Sequence, residues 1–526
     1  MMLNPPCRCE CDENASDQGT DPPAYYNTES PARKEATKKN AGIIAAQIAL
    51  AGRLRGLFCG GALAIHKRAA LWYHSSMEKM APETAGLSAP KMDSANTDRN
   101  TIDARHIGVL DGIRALAVLG VLWFHFWQQD WIMPYLKLPF LKALGLPTTI
   151  NLEFLPRSGF LFVDLMLFLS AFCLFLPYAR AALDGAELPQ TRLFFKKRIA
   201  RIVPSYYFSV LVILFAVSIP SGAYRSVQDC LDDLIPTLTF TQTFFPGVLI
   251  GTKLNGVLWT AAVEMQFYLF FPLLARWFTK KPVWTYLGMV AISLLYLRGY
   301  ALKNPDSIRT TVNQLPAFFG VFANGMAFSY LFVLLSRHVK RNVGMSALAL
   351  CGLVAGIWLL VRMLKAVLSV DPVTLWQAEY RFRLSLVFSL IVMSSALTFR
   401  GVRALFSNAV MRFLAAISYN LYIWHQWIAV RFKEWRIPYW SGDTPPNMTG
   451  DRVWQWKYTA LIMLAAFSAA ILTTYLVEKP LSRRILKPRG DELREPMVSV
   501  RVEEIPQKDD GDMIKNRKDT DKQPDE

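Results

Sequence analysis

Between Gly108 and Arg484 the chain alternates long apolar runs with short polar connections, and on both flanks of that stretch the pattern dissolves into polar sequence. The runs recur near residues 108–128, 159–181, 203–221, 257–278, 283–301, 315–336, 343–363, 382–399, 412–431 and 457–478. Each is roughly 18–23 residues long, enough to cross about 30 Å of hydrocarbon as a helix. Helices are required, because a segment in hydrocarbon must satisfy its own backbone N–H and C=O groups. The pattern therefore predicts an all-α fold, a polytopic membrane bundle of about ten transmembrane helices.

Three regions follow. Residues 1–105 read as a polar N-terminal extension whose opening, rich in Pro, Asp, Asn and Ser, predicts disorder. Within it residues 42–65 are apolar and Ala-rich, but Arg53 and Arg55 interrupt them. A central arginine is costly in hydrocarbon, so this stretch reads as a surface helix, or as an extension ahead of a later start at Met77, Met80 or Met92. Residues 106–485 form the membrane domain, and 486–526, charged and poor in aromatics, read as a disordered tail.

The charges orient the bundle. Arg192, Lys196, Lys197, Arg198 and Arg201 sit in one connection. Arg276, Lys280 and Lys281, then Arg337, Lys340 and Arg341, then Arg400 and Arg403, fall on the same side. The other side spreads its basic residues over longer, more acidic connections. Dense basic loops face the cytoplasm, which places both termini there and the protein in the cell membrane. The net charge of +17 belongs to this sidedness and to anionic lipid. No nucleic-acid fold signature accompanies it, and nucleic acid is not an expected partner. The mean hydropathy is +0.22 although both tails are polar, so apolar content is concentrated in the middle. Cys7, Cys9 and Cys11 lack the spacing of a zinc site, and the seven cysteines suggest neither a disulfide framework nor a metal centre.

Ionisable residues within spans are expensive and are candidates for function. The first span, LDGIRALAVLGVLWFHFWQ, carries Arg114 and His125. Their separation puts them on nearly one helix face, about 16 Å apart along the axis. In the second, GFLFVDLMLFLSAF, Asp164 lies at about the depth of His125. It either orients an imidazole and stabilises its cation or serves as a packing acid near the interface. In the fourth, LWTAAVEMQFYLFFPLL, Glu264 and Tyr268 share a face one turn apart. Glu264 must face a polar interior, where it is either catalytic or paired with an arginine. In ISYNLYIWHQW of the ninth span, Ser418, Tyr422 and His425 fall close to one face. There His425 serves the reaction, lines the path of an acceptor, or sits at the interface beside Trp424 and Trp427. The turn FFKKRIARIVPSYY, ended by Pro204, presents Lys197, Arg198 and Arg201 either to phosphates or as a topogenic cluster. In depth, the imidazoles and carboxylates group in the outer half and the arginines toward the cytoplasm. That order suits a long phosphorylated donor whose reactive end reaches a general base farther out.

These motifs in this order resemble the acyltransferase type 3 family, membrane enzymes that modify cell-surface glycans, antibiotics and other small acceptors. The resemblance runs from about Ile107 to about Arg484 and rests on six segments. They are Arg114 and His125 in LDGIRALAVLGVLWFHF, then GFLFVDLMLFLSAF, KKRIARIVPSYY, LWTAAVEMQFYLFFPLL, ISYNLYIWHQW and YLVEKPLSRR. It implies an acyl-CoA donor, commonly acetyl-CoA, and a hydroxyl acceptor, less often an amine. It also implies His125 as general base, Arg114 at the donor, and functional importance for Glu264 and the arginines of the basic turn. Two positions depart from the pattern. Ala171 replaces a usual Gly, which puts a close helix contact in question. Met265 replaces a common second Glu, which leaves Glu264 without a spare carboxylate.

The expected chemistry is transfer from acyl-CoA to a hydroxyl of a glycan or similar acceptor. Arg114, Arg198 and Arg201 would hold phosphates, and His125, oriented by Asp164 or Glu264, would take the hydroxyl proton. Tyr268, Tyr422 and His425 are candidates for the acceptor path. The rival classes are a transporter or flippase of a polar solute, which would also bury paired charges, and a non-catalytic sensor on the same scaffold. Inverted repeats would favour transport, and the span pattern shows none.

Overall fold

The computed structural model describes residues 107–487 except 146–147 and 340–341. The expected N-terminal extension, with its 42–65 segment, and the tail beyond residue 487 lie outside the described residues.

The membrane domain is a helical bundle. Its long helices are α1 (Val109–Asp130), α2 (Phe162–Asp184) and α3 (Thr191–Ile213). After a short helix outside the spans, α4 (Val227–Leu238), come α5 (Trp259–Lys280), α6 (Pro282–Leu294), α7 (Leu315–His338), α8 (Val343–Ala366) and α9 (Val373–Leu397). The chain closes with a short α10 (Arg400–Ser407), α11 (Ala409–Glu434), α12 (Arg452–Leu472) and α13 (Lys479–Leu486). Extended structure among the described residues is limited to a hairpin of β1 (Tyr135–Lys137) and β2 (Thr149–Asn151), antiparallel with Tyr135 opposite Asn151.

Nine helical stretches among the described residues are long and apolar enough to cross a membrane. The helix α11 is not among them. Arg412, Arg431, Lys433 and Glu434 near its ends, and Asn420, His425 and Gln426 within it, lower its apolar content. It packs along both α1 and α12, and its mid-helix Asn420 and His425, both fully buried, turn inward rather than to lipid. With α11 the long helices reach the number expected. The spans differ in burial although they are similarly apolar: 72% of the apolar window of Gly159–Asp184 is buried, against 22% for Val343–Ser369. The helix α2 is therefore central and α8 peripheral.

Close approach at the centre depends on small residues. A Cβ added to Gly325 of α7 would lie 2.6 Å from the Phe168 carbonyl oxygen and 2.7 Å from Ala171 Cβ on α2. The tight contact that Ala171 put in question is thus made, with the missing side chain supplied by Gly325 on the facing helix. At the C-terminus of α2, Gly185 adopts φ 67° and Ala186 N–H bonds the Ala181 carbonyl, a left-handed cap that ends the helix.

Two boundaries differ from the hydropathy reading. The basic turn does not end at Pro204. It is the first half of α3, which runs through the proline. Proline has no N–H for the Ala200 carbonyl, and that oxygen instead accepts from Ser482 Oγ of α13, which pins the closing helix to α3. Likewise α9 begins at Val373, well before residue 382, so Arg381 lies inside the helix rather than at its mouth.

At the end of the bundle away from Arg114, the connection 219–258 is tied down by buried side chains. Tyr206 Oη donates to the Thr237 carbonyl at 2.8 Å, Gln266 Nε2 to the Phe240 carbonyl at 2.8 Å, and Asn255 Nδ2 to the Ile423 carbonyl at 2.8 Å.

Candidate active site

A cavity of about 280 Å³ lies among α1, α2, α3, α5 and α11. Arg114, Arg198 and Arg201 line one part of it, and Glu264 is the one carboxylate in its wall. Three guanidinium groups against one carboxylate give its wall an excess of positive charge. Arg201 is exposed and Arg198 half-buried, both on the basic first half of α3. The spacing on α3 puts both on one face, and Pro204 follows within a turn.

Each charge has a defined setting. Arg114 Nη2 lies 3.4 Å from Cys173 Sγ, and its Nη1 lies 3.9 Å from the Asp111 carboxylate. The Arg198 guanidinium sits 5.9 Å from the Tyr268 ring centroid and 5.8 Å from that of Phe194. Glu264 accepts from Tyr268 Oη at 2.5 Å and from Ser170 Oγ. Of the two roles open for Glu264, an arginine pair is not made among the described residues. Its partners are hydroxyls in the cavity wall.

Beyond the cavity stand two imidazoles. Tyr422 lines it, and His425 lies one turn farther along α11. Val118 lines it, and His125 lies two turns farther along α1, about 10 Å along the axis. The His125 and His425 ring centroids are 5.1 Å apart. His125 Nδ1 is 3.0 Å from Gln128 Oε1. With an amide oxygen as acceptor, Nδ1 carries the proton and Nε2 presents a lone pair. His425 is fully buried, and its Nδ1 lies 2.7 Å from the Tyr422 carbonyl, which fixes the same tautomer.

Asp164 is held elsewhere. Its Oδ2 accepts from Arg381 Nε at 3.1 Å, with the two side chains 2% and 1% exposed. Arg381 Nη1 also donates to the Val312 carbonyl at 2.5 Å, and the guanidinium lies 4.1 Å from the Phe318 ring centroid. Neither Asp164 nor Glu264 bonds His125, whose Nδ1 partner is Gln128 on its own helix.

The structure thus gathers Arg114, Arg198, Arg201, Glu264, Tyr268 and Tyr422 around one cavity, and sets His125 beside His425. It removes Asp164 to an ion pair with Arg381. Sequence reasoning missed Arg381, Gln128, Ser170 and Cys173. Arg381 had a signal: a buried acid in the second span required a cation, and an arginine stood at a span boundary. Gln128 also had one, being three residues after His125 on the same helix face.

Residues 107–478 match a family model described as an acyltransferase domain. The chain belongs to the acyltransferase type 3 family. Among its relatives is a protein of Staphylococcus aureus strain COL, provisionally named an O-acetyltransferase, 24% identical over 61% of this chain and 50% of its own length. The acyltransferase MdmB of Streptomyces mycarofaciens is 27% identical over 38% of this chain and 48% of its own. A protein of Acidianus two-tailed virus, provisionally named an acetyltransferase, is 23% identical over 60% and 80%. The chain spans about half the length of the first of these relatives. No solved structure matches it. Within this acyltransferase family member, the family match covers every residue placed at the cavity and both histidines.

Proposed function

We infer that the protein transfers an acyl group, acetyl in the simplest case, from acyl-CoA to a hydroxyl of a carbohydrate or similar small acceptor. The observation that carries this reading is the arginine-lined cavity leading toward the imidazole pair. Its volume of about 280 Å³ falls at the small end for ligand pockets. It suits the pantetheine arm and acyl end of a donor whose nucleotide stays outside, near Arg198 and Arg201. Charge-assisted bonds from these arginines and Arg114 would hold phosphate groups. The basic connections predict that this end faces the cytoplasm.

His125 Nε2 takes the proton of the acceptor hydroxyl as that oxygen attacks the thioester carbonyl. The C–S bond then breaks, and the proton passes to the departing thiolate, giving ester and free CoA. Gln128 holds the ring in the tautomer this step needs. Glu264, with Ser170 and Tyr268, shapes the polar wall where the thioester lies. Tyr422 and His425 flank the acceptor side. Asp164 supports the site through its ion pair with Arg381, which locks α2 to α9.

Purified protein in lipid nanodiscs, supplied with radiolabelled acetyl-CoA and a panel of glycans, tests the reading. The expected result is labelled ester or acetyl-CoA hydrolysis that His125→Ala reduces by about 100-fold or more, as loss of a general base does. Unchanged turnover in a His125→Ala protein that still inserts would remove the assignment. Movement of an acceptor across the bilayer with no acyl transfer would favour a transporter.

A further inference from the structure

A second site lies away from the cavity, where α5 turns into α6. A groove of about 460 Å³ is lined by Leu274, Trp277, Lys280 and Lys281 of the turn region and by Trp284, Gly288 and Ile292 of α6. On α6 the positions Thr285, Gly288, Met289 and Ile292 form one helix face, and across the turn Leu274 and Trp277 share a face of α5. Met289, 2% exposed, makes the floor. A Cβ at Gly288 would meet nothing within 4 Å, so its missing side chain keeps the groove open. Trp277 and Trp284 stand 53% and 75% exposed at its sides.

Position and charge select the occupant. Both flanking helices are among the candidate membrane spans, so the turn between them lies at a membrane surface. From Trp284 to Ile292 the groove runs about 12 Å along α6, most of the hydrocarbon depth of one leaflet. Its walls are apolar along that length, and its polar end is two lysines. Neither lysine has a carboxylate partner among the described residues. Paired tryptophans at this level suit the boundary between headgroup and chain.

We propose that this groove binds one anionic glycerophospholipid, with its phosphate-bearing headgroup on Lys280 and Lys281 and one acyl chain along Gly288 and Ile292. Two lysines at a membrane surface attract anionic headgroups. Phosphatidylcholine would fill the groove, but its choline cation cancels its phosphate, so only an anionic lipid brings net negative charge to the two ammonium groups.

Native mass spectrometry of the protein released from nanodiscs of equal phosphatidylglycerol and phosphatidylcholine tests this. The wild type should retain one phosphatidylglycerol in preference to phosphatidylcholine. The double variant Lys280→Gln, Lys281→Gln should lower that preference roughly 30-fold while still holding a lipid. Gly288→Trp, which fills the groove and leaves both charges, should retain neither. Circular dichroism and a single gel-filtration peak establish that each variant is folded, which exposed positions favour. Equal retention of phosphatidylglycerol by all three proteins, or no preference for it in the wild type, would overturn the proposal.

Discussion

Replacing Asp164 by Asn leaves the shape of the side chain and removes its charge. Arg381, 1% exposed, then keeps its bond to the Val312 carbonyl and its place over Phe318, but its counter-ion is gone. Removing one partner of a buried pair costs about 3–5 kcal/mol. The retained carbonyl and ring offset part of that loss, so the lower end, about 3 kcal/mol, applies here. The unfolding entropy of about 2.1 cal/mol/K per residue, over the roughly 380 residues of the bundle, gives a little over 1 °C for each kcal/mol, so the melting temperature in detergent should fall by about 4 °C. The double variant Asp164→Leu, Arg381→Met removes both charges and should recover most of the loss, since an apolar pair of similar volume replaces a buried ion pair at little cost. The coupling between the two positions is read from the full mutant cycle. Turnover supplies the second readout. Because Gln128, not Asp164, bonds His125, the double variant should keep acyl transfer within about tenfold of wild type, well short of losing a general base. A single variant that melts like wild type, or a double variant as unstable as the single, would refute the ion-pair reasoning. A folded double variant without turnover would return Asp164 to the reaction itself.

Arg198→Gln and Arg201→Gln should each raise KM for acyl-CoA about tenfold with a smaller change in kcat, and added salt should shrink the difference, as phosphate contacts predict; steady-state kinetics at two ionic strengths checks this. Gly325→Val places carbon 2.6 Å from the Phe168 carbonyl oxygen and should lower folded yield and stability by about 1–3 kcal/mol, the usual range for overpacking, read by fluorescence-detected size exclusion. Ser482→Ala leaves the Ala200 carbonyl without its donor and should cost about 1 kcal/mol, seen as a small drop in melting temperature with unchanged KM.

The fold was legible because the membrane makes it so. Apolar length and backbone satisfaction leave one solution for each run, and the long helices lie where the runs predicted. The errors are local and instructive. Arg381 was left outside its helix because a charge lowers apolarity whether it faces lipid or an internal carboxylate. Pro204 read as a terminator because its missing donor is local, whereas the Ser482 hydroxyl that satisfies the freed carbonyl comes from the far end of the chain.

The candidate site divides in the same way. The sequence alone determined the membrane architecture, the basic end, the shared face of Arg114 and His125 and the one-turn pairing of Glu264 with Tyr268, because each follows from span length or helical period. Only the tertiary structure decided who meets whom across helices. It turned Asp164 to Arg381, put His425 5.1 Å from His125, and closed Ser170 on Glu264. Depth along a span is written in one helix. Rotation about its axis and choice of neighbour are set by the packing of all the others, and a buried carboxylate near two possible partners is decided by that packing.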